Sequence, residues 1–405
     1  MIVNAFAPED FRRSIYAAYL ETVIAIEAGK AVVKPAGLKR DRSIDALRGL
    51  AAIFVVAHHV IGESVDRGMG VGNGTIWRYF EIATVDLRMP LFTVLSGLVY
   101  GLRPIHSTGD LPSLLRGKRR RLLYPMVTVG TVVFLLQVYV PGTNSKPELS
   151  SFWRIYVFGF EHLWFLQSIF IIFVIVGLLD AFDVMRDKWR WQAVTATAFG
   201  AALVFSVPAA WDIFSLNGLL RLLPFFLAGY GLARYSREFD WRDGAGWFVA
   251  FVAVYSLDVM KFLGHFSGSH LARTSIAIGV GLTGVMVLFS IRHFIECKPL
   301  IWLGGYSMTV YLLHGITAPA SRILLEQVGI TSDPIVFICG LVAGIGGPIV
   351  FYLLFARFKL IRVYFLGEKA LPPAKAKVQS PTVERPTVEP PAVQLPAKVE
   401  PEPQS

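Results

Sequence analysis

Apolar runs long enough to cross a bilayer recur ten times along this 405-residue chain, and no other feature limits its architecture so strongly. Hydrocarbon offers backbone groups no water, so a spanning segment must be a helix or a strand of a closed barrel. Windows of ~17–25 mostly apolar residues select the helix. Such windows fall at 44–62, 80–102, 122–140, 162–179, 191–209, 217–233, 245–263, 273–291, 300–321 and 334–356. The sequence therefore predicts an all-α, polytopic integral membrane protein with about ten transmembrane helices. Charged residues make up 17% of the chain, against roughly 25% in soluble proteins, which excludes an ordinary soluble enzyme and whole-chain disorder. Cys297 and Cys339 are too few for a disulfide framework.

The net charge of +10 is mostly a topology signal. With the N-terminus inside, twenty-two Lys and Arg fall in inner segments and seven in outer ones. By the positive-inside rule both termini are cytoplasmic, and nucleic acid is a poor partner. Residues 1–41 form a cytoplasmic segment without the layout of a conventional signal peptide, and 9–29 have the pattern of an interfacial amphipathic helix. The transmembrane domain occupies 42–366. From 367 to 405 the chain carries nine prolines and repeats Pro-Thr-Val-Glu at 381–384 and 386–389, the composition of a disordered cytoplasmic tail.

Polar residues inside the spans are costly and mark candidate sites. In the first span Arg48 and His59 are eleven residues apart, which places them on one helix face about 16–17 Å apart. Asp45 lies one turn before Arg48, within reach of its guanidinium; His58 points about 100° away. A buried structural ion pair and a satisfied histidine would account for the same residues singly, but less well for all three in line. Alternating topology then brings Asp86, Arg88, Glu161, His162, Arg221, Tyr311 and His314 toward the outer half, near His59 and Glu63. On the inner side Arg116, Lys118, Arg119, Arg120 and Arg121 precede Leu122-Leu123-Tyr124-Pro125. Such a run is usually a topology determinant or lipid contact, and it also suits recognition of a phosphorylated donor. Gly340 and Gly344 read as helix packing, and Ser96-Gly97 as a close helix contact or, less well, a nucleophile. No metal-site pattern is present.

Several of these segments resemble the acyltransferase-3 family of membrane proteins. Arg42-Ser43-Ile44-Asp45-Ala46-Leu47-Arg48-Gly49-Leu50, with His59 following, is similar to its opening motif. Arg88-Met89-Pro90-Leu91-Phe92 with Ser96-Gly97 resembles its second-helix signature, and His162-Leu163-Trp164-Phe165-Leu166 its fourth. Pro224-Phe225-Phe226-Leu227-Ala228-Gly229 and the segment Leu303 to His314 resemble later ones. The resemblance spans roughly 42–366. Where the family often has Arg-x-x-Arg before the third helix, this chain has Lys118 and Arg121, with Arg116 and Arg119 at the same spacing out of register.

The resemblance implies an O-acyltransferase in the inner (cytoplasmic) membrane. Its expected donor is cytoplasmic acyl-CoA, acetyl-CoA above all, used as co-substrate with no permanently bound cofactor. The expected acceptor is a hydroxyl of an envelope glycan or lipid-linked sugar. In that reading the catalytic residues are His59 as general base, Arg48 orienting the donor or stabilising the developing charge, and Asp45 fixing the geometry of Arg48. Arg88, Ser96, His162, Trp164, Arg221, Tyr311 and His314 contact substrate, and Lys118 and Arg121 hold the CoA phosphates. The competing reading is a transporter or lipid-linked-sugar flippase, disfavoured because the two halves show no convincing repeat.

Overall fold

The computed structural model describes residues 41–235, 241–265 and 268–371; the expectations for 9–29 and for most of the Pro-rich tail lie outside them. The bundle is built from α1 (Arg42–Ile61), α2 (Ile76–Gly101), α3 (Leu111–Lys118), α4 (Tyr124–Tyr139), α5 (Trp164–Ala181), α6 (Lys188–Val204), α7 (Leu216–Arg234), α8 (Trp241–Phe262), α9 (His270–Ser290), α10 (Lys298–Gln327) and α11 (Asp333–Phe355). Among the described residues the β structure is one isolated bridge, Phe158 to Ile213. The protein is thus an all-α polytopic membrane protein.

Eight helical segments are long and apolar enough to cross a membrane; α6, with 17 residues, and the more polar α10 fall outside that set. Packing directions show that both nevertheless traverse the bundle. Gly218 near the start of α7 lies against Trp164 and Ser168 at the start of α5, and Tyr230 near the end of α7 donates to Asp180 near the end of α5 at 2.6 Å. These helices are parallel, so α6 must run back between them. Likewise α1 and α10 are parallel, meeting at Gly49 and Gly304 near their starts and at His59 and His314 ten residues later.

Glycines set these crossings because lipid offers no hydrophobic drive between helices, leaving close packing to hold them. A Cβ on Gly304 would stand 2.7 Å from the carbonyl carbon of Asp45, and one on Gly49 3.2 Å from the amide of Gly304. Gly97 and Gly229 make the equivalent crossing of α2 with α7, so the Ser96-Gly97 signature is a packing element. Gly340 and Gly344 seat α11 on Val60 and Val56 of α1, as their spacing predicted. The result encloses α1 more than any other membrane-length helix, whereas α8 turns almost all of its surface outward.

The predicted third span has a longer beginning. Between α3 and α4 the chain forms a π-helical turn, Arg119–Leu123. A second π turn, Ile361–Phe365, braces it: Tyr364 stacks on Tyr124, and its carbonyl accepts from Thr128 at 2.7 Å.

Candidate active site

His59 lies at the C-terminal end of α1, where a tight turn stops the helix. Gly62 (φ 89°) ends it and Gly68 (φ 62°) packs onto it; the two backbones approach too closely for side chains, and φ is positive at both. Arg78, buried, clamps this turn by donating to the carbonyls of Gly62 (2.5 Å) and Val71 (3.2 Å).

Three imidazoles converge here. The ring centre of His59 lies 4.9 Å from that of His314 and 5.9 Å from that of His162, which are themselves 4.6 Å apart. A carbonyl oxygen only accepts, so partners fix the two buried tautomers. His314 donates through Nδ1 to Val310 O (2.9 Å), and His162 donates through Nε2 to Leu312 O (3.2 Å). Each neutral ring therefore keeps a lone pair on its other nitrogen, and His314 Nε2 has no hydrogen-bond partner among the described residues. The Tyr311 hydroxyl donates to the backbone carbonyl of His162, locking α10 to the turn before α5. That turn holds Glu161 at φ 45°, a conformation disfavoured for a residue with a Cβ. Gln137 at 2.9 Å and Ser145 at 3.3 Å donate to the Glu161 carboxylate, and Arg67 lies 3.4 Å from it.

A cavity opens at His59 in two lobes. The polar lobe, about 130 Å³, is lined by His58, His59, Glu63, Arg67, Arg88, Glu161, His162, Trp164 and Tyr311. The second, about 330 Å³, shares His59, Asn144, Glu161 and His162 but is otherwise mostly apolar. Behind the polar lobe Arg88 donates to Nε2 of His58 (3.0 Å), leaving the His58 proton on Nδ1, 2.9 Å from Glu81 Oε1. Glu81 also faces Arg78 at 3.7 Å and Arg88 at 3.8 Å. One buried carboxylate thus orients both the residue that clamps the turn and the guanidinium that faces the lobe.

A larger cavity, about 580 Å³, opens toward the Lys- and Arg-rich end. Arg48, Ser96, Arg103, Lys118, Arg121 and Ser307 line it, and Tyr311 forms its inner limit as it does for the polar lobe. Arg48 is held 3.4 Å from Asp45. Lys118 and Arg121 face this cavity whereas Arg116 and Arg119 do not line it, which separates the two registers of the basic motif. Lys118 Nζ sits 3.3 Å over the Phe173 ring.

The structure therefore gathers His59, Arg88, His162, Trp164, Tyr311 and His314 at one site, and Arg48, Ser96, Lys118 and Arg121 at the opposing one. Ser96 Oγ is already committed to Phe92 O at 2.8 Å. Arg221 is exposed and lines none of these cavities. Sequence reasoning missed Glu81, and Arg78 and Arg103 lie just outside the predicted span 80–102. The signal for the first pair was there: Arg78 and Glu81 are three residues apart, one helical turn, at the start of an apolar run. Among the described residues no group of His, Cys, Asp or Glu is arranged to hold a metal ion.

Fold and site together define a polytopic membrane protein in which two cavities, one histidine-lined and one cation-lined, meet inside the bundle. The family's acyltransferase-domain model matches residues 41–353. The chain belongs to the acyltransferase-3 family and is a membrane acyltransferase. No curated protein and no solved structure matches it.

Proposed function

We propose that the protein transfers an acyl group, acetyl in the first instance, from cytoplasmic acyl-CoA to a hydroxyl of a sugar or envelope glycan. The observation that carries this reading is the meeting of the two cavities at Tyr311, with fixed cations on one side and His59 on the other. Guanidinium and ammonium groups match the CoA phosphates, so Lys118 and Arg121 hold the donor with its thioester directed toward Tyr311. The acceptor occupies the polar lobe, where Trp164 offers a ring face and Arg88 a donor. As the hydroxyl oxygen attacks the thioester carbonyl, His59 takes its proton; the C–S bond then breaks and the CoA thiolate leaves. Arg48, oriented by Asp45, holds the donor. The excess of Lys and Arg at the donor end supports a cytoplasmic orientation for that end and both termini, and the reading puts the protein in the inner membrane.

The test is transfer from radiolabelled acetyl-CoA in membranes carrying equal amounts of the wild type or His59→Ala, with a crude envelope-glycan fraction as acceptor. Label should enter glycan with the wild type and fall to background in the variant. Equal labelling by both would remove His59 from the chemistry. Substrate uptake without any CoA dependence would replace acyl transfer by transport.

A further inference from the structure

The proton that His59 removes has to leave the protein, and the two cavities differ in what they offer it. Arg48, Arg103, Lys118 and Arg121 line the donor cavity, and among the described residues no Asp or Glu lines it. That cavity repels a proton and retains an anion such as a thiolate. The polar lobe sets Glu63 and Glu161 against Arg67 and Arg88, so its formal charges cancel. Arg67 lies 3.1 Å from Glu63 and 3.4 Å from Glu161, and the Glu63 side chain is 58% exposed. His59 lines the polar lobe and not the donor cavity. Between the two volumes stands Tyr311, its hydroxyl committed to the His162 carbonyl, with the rings of Phe92 and Phe165 beside it. The other groups facing His59 give no second way out. His58 is held between Glu81 and Arg88, and His162 and His314 are buried rings, each tied to a backbone carbonyl. The cavities also open at opposite ends of α1, since Arg48 lies in its second turn and Glu63 just beyond its last.

We infer that each acyl transfer releases its proton on the face opposite the donor, so that every turnover moves one positive charge across the membrane. The inference rests on the acyl-transfer reading. The acceptor O–H bond breaks, and its proton passes through His59 to the polar lobe and the water beyond Glu63. A C–O bond forms as the C–S bond breaks, and CoA leaves as a thiolate into the cation-lined cavity. A thiol ionises at about pH 8.5, so at neutral pH the thiolate then takes a proton from water on the donor side. The donor face loses a proton and the opposite face gains one. A proton handed directly from His59 to the thiolate would change neither face. An opposing potential of about 100 mV then shifts the equilibrium of acyl transfer about fiftyfold.

The experiment uses the full chain in proteoliposomes that enclose the crude envelope-glycan fraction and a membrane-impermeant pH dye, calibrated with acid pulses. Labelled acetyl-CoA is added outside, so only molecules whose donor end faces outward act. Valinomycin, with potassium on both sides, lets compensating charge flow. Label in glycan and label in free acetate are counted separately, because hydrolysis releases an acid of its own. The expected result is about one proton gained by the lumen for each acetyl group entering glycan. A protonophore should collapse the acidification and leave the labelling intact, and His59→Ala should show neither. Glycan labelling without acidification of the lumen overturns the inference and leaves acyl transfer standing. Absence of glycan labelling by the wild type overturns the acyl-transfer reading, and the inference with it.

Discussion

Replacing Gly304 by alanine tests whether helix crossing controls the chemistry fifteen ångströms away, roughly the rise of ten helical residues. The new methyl carbon would lie 2.7 Å from the carbonyl carbon of Asp45, where ordinary contact begins at 3.4 Å. Backbone cannot rotate aside as a side chain can, and the Asp45 carbonyl oxygen lies nearer than its carbon, so α1 and α10 must separate by more than the ~0.7 Å that the carbon alone requires. Overpacking of this kind costs about 1–3 kcal/mol. The larger effect falls on activity, because the two helices carry His59 and His314 at the same spacing from the crossing. Misplacement of reacting groups by about 1 Å can lower rates by ~10²-fold, so acyl transfer should fall by about ten- to a hundredfold with a smaller loss of stability. Acetyl transfer and thermal unfolding in detergent report the two effects separately. Gly346→Ala is the control, since nothing lies within 4 Å of a Cβ there; a helical Gly→Ala change should leave stability unchanged or raise it by ~0.5–1 kcal/mol. Gly304→Ala with wild-type activity would refute the reasoning.

Other outcomes follow from the same geometry. Glu81→Gln leaves Arg78 and Arg88 without their shared buried countercharge; breaking such a pairing costs about 3–5 kcal/mol, to be read as a lowered unfolding midpoint. Arg121→Ala should raise the KM for acyl-CoA about tenfold or more while Arg116→Ala changes it little, because only the former lines the cation-rich cavity proposed for the donor; equal effects would mean that the run acts through general charge. High salt should raise the donor KM of the wild type and do so less in Arg121→Ala, as steady-state kinetics across ionic strength would show.

Much of this fold was legible in the chain because membrane helices announce themselves by length and apolar content. The face shared by Arg48 and His59 was legible for a similar reason, since both lie on one helix. The packing role of Gly340 and Gly344 also followed from local spacing. What could not be read were contacts between helices. His58 was the weaker histidine by helical phase, yet it is one member of a buried chain whose other members, Glu81 and Arg88, lie on α2. Arg221 was chosen by depth, yet it is exposed and lines none of the cavities, since depth alone does not specify azimuth. A further clue went unread: Gly49 to His59 and Gly304 to His314 are both ten residues, the register of two parallel helices that cross once and face each other three turns later.

Tyr311 has a consequence beyond chemistry. It stands between the two cavities, with the rings of Phe92 and Phe165 at 6.3 and 5.7 Å, and its hydroxyl is tied to backbone. A membrane that holds an ion gradient cannot carry a water-filled passage, and what separates the two cavities is the layer of Tyr311 with Phe92 and Phe165. A small side chain at position 311 would join two wet volumes into a leak. In a membrane that holds an ion gradient, the barrier at Tyr311 would matter even when no substrate is bound.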